Sequence, residues 1–175
     1  MKKYQIAITL VLITLAVVMR LLPHPANFAP VTAIALFGGA TLPRRYAVLA
    51  PLLAMMLSDT LIGWYSLMPV TWGCYALIAL ASSVWLRGRG LGRGVALTAG
   101  SSVFFFAVTN FAVWAGGGLY PHTLAGLERC FVLALPFFRN TALSDMIYTA
   151  GLFSLYLLAT RAATKLLRTQ PIKSV

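Results

Sequence analysis

Residues 46–86 read YAVLAPLLAMMLSDTLIGWYSLMPVTWGCYALIALASSVWL. Two apolar runs, 46–62 and 70–86, flank a short connection, and Asp59 is the one charged side chain in the whole stretch. Arg44 and Arg45 bound it on one side and Arg87 on the other. A helix needs about 20 predominantly apolar residues to cross a bilayer, so the stretch reads as two spans joined by a turn. From Asp59 to Tyr75 it carries Trp64, Tyr65, Trp72, Cys74 and Tyr75 but no Lys or Arg. An aromatic, uncharged, thiol-bearing connection of this kind suits the capture of something other than water.

The rest of the chain repeats the pattern. Of its 175 residues, 60% are apolar and 10% charged, with a mean hydropathy of +0.85; soluble domains carry roughly 25% charged residues. Apolar runs at 4–22, 29–43, 46–62, 70–86, 95–114 and 140–160 predict six transmembrane helices in one domain, residues 1–175. The run at 4–22 follows Lys2 and Lys3 and lacks a small-x-small cleavage site, so it reads as an uncleaved first helix. Residues 124–138 hold Glu128, Arg129, Cys130 and Pro136 among apolar neighbours, which predicts a short interfacial or re-entrant helix before the last span. The expectation is an all-α integral membrane protein.

Charge sets the orientation. The net charge of +11 lies in short clusters between apolar runs, not in a stripe along one helix face as nucleic-acid binding would ask. With both termini in the cytoplasm, Lys2, Lys3, Arg44, Arg45, Arg87, Arg89, Arg93, Arg161, Lys165, Arg168 and Lys173 fall inside, and Arg20, Arg129 and Arg139 outside. That imbalance is the one the positive-inside rule predicts. It turns PHPANFAP (23–30), the aromatic connection and AGGGLYPHT (115–123) outward. Outward-facing capture is the function this arrangement predicts.

The candidate ligand-lining residues come from those segments, from the fifth span and from the outer start of the last: His24, Asn27, Phe28, Asp59, Trp64, Tyr65, Trp72, Tyr75, Asn110, Trp114, Tyr120, His122 and Arg139. Ionisable groups within spans are costly and mark function or structural ion pairs. Arg139 could pair with Asp59 or with Asp145. Trp and Tyr also form the aromatic belts common at membrane interfaces, and Asn110 would serve equally well in an interhelical hydrogen bond. Cys74 as a thiolate is a soft donor for a transition metal; Cys74 and Cys130 together give neither a zinc spacing nor a disulfide framework. The tripeptide Leu-Ser-Asp occurs at 57–59 and 143–145. An intramembrane enzyme using Asp59 and Asp145 as a carboxylate dyad, and an assembly protein whose aromatics only anchor it, are the competing readings.

Three strings, RLLPHPANFAPVTAIALFGG (20–39), TNFAVWAGGGLYPHTLAG (109–126) and LPFFRNTALSDMIYTA (135–150), resemble the substrate-binding S components of energy-coupling-factor (ECF) vitamin transporters, most closely the cobalamin-transporting BtuM branch. The resemblance implies a six-helix S-component-like bundle that takes cobalamin, vitamin B12, or another vitamin or small molecule, from the outside. It implies that Cys74 ligates the cobalt of bound cobalamin and can displace cyanide from cyanocobalamin, and that His24, Asp59 and Arg139 line the site. S components commonly dock an energising module through Ala-x-x-x-Ala on helix one. Here helix one lacks that pair, and small-xxx-small spacing falls instead at Ala35/Gly39 and Ala50/Ala54. No GxxxxGK[ST] loop is present, so any ATP hydrolysis belongs to another subunit.

Overall fold

The computed structural model describes residues 2–87 and 91–169; Arg89 and Lys173 of the basic count lie outside the described residues. Six helices follow one another: α1 (Lys2–Leu21), α2 (Val31–Thr41), α3 (Arg44–Ile62), α4 (Met68–Trp85), α5 (Leu91–Gly116) and α6 (Leu124–Thr169), with no strand among the described residues. Five of them are long and apolar enough to cross a membrane, and α2 is the shorter apolar exception. The chain is therefore read as a multi-pass membrane protein. The connections 22–30, 63–67 and 117–123 mark one end of the bundle, called here the loop end. The α2–α3 and α4–α5 connections, with Arg44, Arg45 and Arg87, mark the opposite, basic end.

Helix α2 is the centre of the fold, and nine of its eleven residues are buried. Small side chains let it approach α4 closely. A Cβ added at Gly39 would lie 2.5 Å from both the Ala79 carbonyl oxygen and Ser82 Cβ, so only glycine fits there. Ser82 Oγ donates to the Leu36 carbonyl at 2.5 Å. At the basic end the Arg87 guanidinium donates to the carbonyls of Gly39 and Leu42, which closes the C-terminus of α2 as a cation does at the negative end of a helix. On its other flank Ile34 and Phe37 pack with Leu12, Ile13 and Ala16 of α1 and Ala50 and Ala54 of α3. Both small-xxx-small rows noted in the sequence are thus consumed inside the bundle: Ala50/Ala54 in the core with α1, Ala35/Gly39 in the core with α4.

Helices α5 and α6 form a long antiparallel hairpin. Phe106 meets Phe131 and Phe138 at ring-centroid distances of 5.4 and 4.7 Å, and Ser102 meets Asp145 further toward the basic end. The expected break between a helix at 124–138 and a span at 140–160 does not exist: α6 runs unbroken for 46 residues, with Pro136 inside it. Proline removes one backbone donor and bars one carbonyl, a defect that membrane helices tolerate. Glu128 and Arg129 are good helix formers on exposed positions; they interrupt the apolar pattern without interrupting the helix. At about 1.5 Å per residue α6 is about 69 Å long, more than twice the roughly 30 Å hydrocarbon core of a bilayer. It is therefore longer than a single span requires.

The 22–30 connection sits low against this hairpin. Asn140 Nδ2 donates to the Ala26 carbonyl at 3.0 Å and Ser144 Oγ to the Ala29 carbonyl at 3.0 Å. From Asn140 back to Leu124, α6 rises about 24 Å further toward the loop end. The tip of the hairpin thus stands well above the segment that carries His24, Asn27 and Phe28.

Candidate functional site

Asp59 lies in the last turns of α3 and is 1% exposed. Its Oδ1 forms an ion pair with Arg20 Nη2, and its Oδ2 accepts from Trp72 Nε1 at 2.8 Å. Arg20 Nε donates in addition to Ser58 Oγ at 2.7 Å. Helices α1, α3 and α4 are tied at one point, and both carboxylate oxygens are occupied. The expectation that Arg139 pairs with Asp59 or with Asp145 is corrected: Arg139 is exposed, and Arg20 is the partner of Asp59. The signal was present in the sequence, since Arg20 is the one cation within an otherwise apolar first run, and a charge inside a span is by default a candidate.

Asp145, also 1% exposed, has a different environment. Ser102 of α5 approaches its Oδ2 at 2.6 Å and Thr32 of α2 supplies a second hydroxyl. A carboxylate dyad requires two carboxyls close enough to share a proton. Asp59 and Asp145 are not hydrogen-bonded to each other and have no partner in common. Among the described residues, Asp59 forms an ion pair and Asp145 does not.

Cys74 is 2% exposed on α4, and neither it nor Cys130 forms a disulfide. Its neighbour Tyr75 stacks on Phe105 of α5, with centroids 5.0 Å apart and planes at 28°. Phe105 in turn is a wall of a cavity of about 190 Å³. Asn27, Phe106, Asn110, Phe138 and Thr141 complete most of its lining. Asn27 has φ 60°, a left-handed conformation that asparagine tolerates better than most residues. Asn110 donates to the Phe106 carbonyl at 2.8 Å, and Cys130 Sγ donates to the Asn110 carbonyl at 3.4 Å. Phe28 packs edge-on against Tyr148. His24 Nδ1 lies 3.0 Å from the Pro25 carbonyl, while its Nε2 is buried without a partner.

The remaining candidates are elsewhere at the loop end. Trp64 and Tyr65 are exposed in the α3–α4 connection, which turns at Gly63 with φ 128°. The Tyr65 hydroxyl pairs with Thr71 Oγ1 at 2.7 Å, and burial pushes its phenol above the ordinary value, so it stays neutral. Trp114 Nε1 donates to the Pro121 carbonyl at 3.0 Å and its ring meets His122 at 5.6 Å; with Tyr120 they form the hairpin tip. The structure therefore brings together Asn27 and Asn110 and stacks Tyr75 on the Phe105 wall of the cavity, while Cys74 is not among the residues that line it. The fold holds Trp114, Tyr120 and His122 apart from them. Sequence reasoning missed Phe105, Phe106 and Thr141, whose apolar or small side chains carry no chemical mark.

Larger cavities, about 500 Å³ between α4 and α5 and about 580 Å³ between α5 and α6, are lined mainly by apolar residues and by none of the candidates. No three His, Cys, Asp or Glu side chains gather to hold a metal ion among the described residues. Cys74 is accordingly a single thiol donor at its place. A lone donor can complete the coordination of a metal that arrives already held by other ligands, since soft thiolate ligands accept such metals.

The chain belongs to a family of unknown function, DUF6580, whose sequence model matches residues 1–167. No curated protein and no solved structure matches it.

Proposed function

We propose that this protein is a cobalamin-uptake component of a bacterial cytoplasmic membrane, with its basic end and both termini inside and its loop end outside. The observation that carries the reading is the loop-end cavity lined by Asn27 and Asn110, whose Phe105 wall stacks on Tyr75, with the buried Cys74 the preceding residue of α4. The resemblance of 20–39, 109–126 and 135–150 to S components of the BtuM branch supports it. So does the placing of the uncharged aromatic connection at the loop end and of Arg44, Arg45 and Arg87 at the other.

A corrin is far larger than a cavity of about 190 Å³; small-molecule sites run to roughly 300–1,000 Å³. Capture therefore requires the upper α5–α6 hairpin to move away from the 22–30 connection, the contact made by Asn140 on Ala26. Once the corrin is seated, the Cys74 sulfur replaces cyanide on cobalt(III). The Co–S bond forms, the Co–CN bond breaks, and the thiol proton leaves with cyanide, with no change of oxidation state. An ECF-type energising module is a possible partner by class, but the Ala-x-x-x-Ala row is missing from α1 and the rows on α2 and α3 are packed inside. That favours a carrier acting on its own in the lipid bilayer.

The test is an absorption spectrum of purified protein mixed with cyanocobalamin. A stoichiometric shift of the corrin bands is expected for the wild type and none for Cys74→Ala. Binding that is identical in the variant would keep cobalamin and reject the cobalt–thiolate bond. If neither protein binds, cobalamin is excluded and another vitamin or small molecule becomes the cargo to seek.

A further inference from the structure

We propose that Asp145 is a proton-binding site: its carboxyl is protonated in this conformation and exchanges the proton when the α2–α5–α6 contact opens. The chain has three acidic residues, and their settings differ. Glu128 is exposed, Asp59 is ion-paired with Arg20, and Asp145 is buried with hydroxyls alone. Helix α6 packs on α5 and α2. From α5, Ser102 faces Asp145, and α2 contributes Thr32 but no titratable residue. On α4 the nearest group is the Tyr75 phenol, and Arg20 of α1 is committed to Asp59. On α6 itself Arg139 is exposed and Tyr148 packs against Phe28. Among the described residues no ion pair compensates a charge at this place, and a carboxylate without a cation in an apolar interior is far more costly than a carboxylic acid.

The hydroxyl geometry points the same way. Ser102 Oγ lies 2.6 Å from Asp145 Oδ2 and 3.1 Å from the Thr98 carbonyl. A serine hydroxyl has one hydrogen to donate, so it cannot satisfy both acceptors. If Asp145 carries the proton, the conflict disappears: the carboxyl O–H donates to Ser102 Oγ and Ser102 donates to Thr98. An O–O separation of 2.6 Å lies within the range of an O–H···O bond. Without the proton, Ser102 must turn to the carboxylate and abandon Thr98.

The site has an exit. Thr141 lines the loop-end cavity and stands one helical turn from Asp145 on the same face of α6. Movement of the hairpin away from α2 and the 22–30 connection would extend that cavity to the carboxyl, pass the proton to water and leave a carboxylate that resists reclosure. Proton release and opening of the hairpin are then one event. This holds whatever the cargo is.

Infrared spectroscopy of the full chain in lipid nanodiscs tests the site with no cargo present, so its outcome is separate from that of the corrin titration. At neutral pH a protonated-carboxyl C=O band that shifts in D2O is expected. It should be lost in Asp145→Asn and kept in Glu128→Gln. Ser102→Ala should keep the band but move it to higher frequency, because the acceptor of the carboxyl hydrogen is gone. Absence of the band in the wild type, or its persistence in Asp145→Asn, overturns the proposal. Should Asp145→Asn fail to fold, Ser102→Ala decides alone, and an unmoved band is then the contrary result.

Discussion

Arg20 Nε holds Ser58 and its Nη2 holds Asp59, while Arg139 stands exposed on α6. Removing the Arg20 guanidinium leaves Asp59, 1% exposed, with the Trp72 N–H as its remaining partner. Breaking a buried pair from one side costs about 3–5 kcal/mol, because the surviving charge is stranded, whereas replacing both partners by apolar groups is often near neutral. Arg20→Gln is expected to lower stability in denaturation of the detergent-solubilised protein by an amount of that order. Arg139→Gln is expected to change it by less than about 0.5 kcal/mol, as for most exposed substitutions. The double change Arg20→Met with Asp59→Leu recovers most of the loss if the pair is structural. Failure of Arg20→Gln to destabilise would mean that Asp59 draws its stability from Trp72 and water instead. The acidic members of both clusters were legible in the sequence as charges inside spans. Arg20 too was marked as a cation inside the first run, but the pairing was not legible, because choosing between Arg20 and Arg139 depends on which helix ends meet, and α1 meets α3 through packing that no local pattern encodes.

Helix α2 is short, apolar and almost wholly buried, so its stability depends on how closely its neighbours approach. Gly39 permits that approach: Ala79 O and Ser82 Cβ occupy the space a methyl group would need. Overpacking a tight contact typically costs 1–3 kcal/mol, so Gly39→Ala is expected to destabilise by about that much. Gly38→Ala is the control, since its Cβ would meet Ala47 Cα at an ordinary 3.5 Å. Equal unfolding midpoints for the two variants would show that α4 yields to the added methyl. Six helices and five of the spans could be read from apolar runs and basic punctuation, because bilayer length and desolvation of charge act on sequence locally. The continuity of α6 could not. Glu128, Arg129 and Pro136 lower hydropathy, and hydropathy reports immersion in lipid rather than helicity. A helix about 69 Å long can leave the membrane without ending.

The molecule divides into a tightly tied α1–α4 group and a hairpin, α5–α6, whose upper half rests on the 22–30 connection. The ties of the first group are an ion pair, the Arg87 closure of α2 and the Gly39 contact with α4. Those above Asp145 are the Asn140 and Ser144 bonds to Ala26 and Ala29 and the stack of Phe105 on Tyr75 of α4, with further aromatic packing inside the hairpin itself. Local stability varies across a structure, and elements that move for binding come from its weaker end. Under the proposed function, the hairpin is the part expected to open for a corrin. Asn27 and Asn110 line the same cavity from opposite parts, the 22–30 connection and α5. Placing cysteines at both, with Cys130 changed to Ala and the buried Cys74 kept, allows a short thiosulfonate linker to hold the cavity shut. The linked protein is expected to leave the cyanocobalamin spectrum unchanged, and reduction of the linker is expected to restore the shift. Full binding with the linker in place would move the entrance away from this cavity, while loss of binding in the unlinked double variant would assign the two asparagines a direct part in holding the ligand.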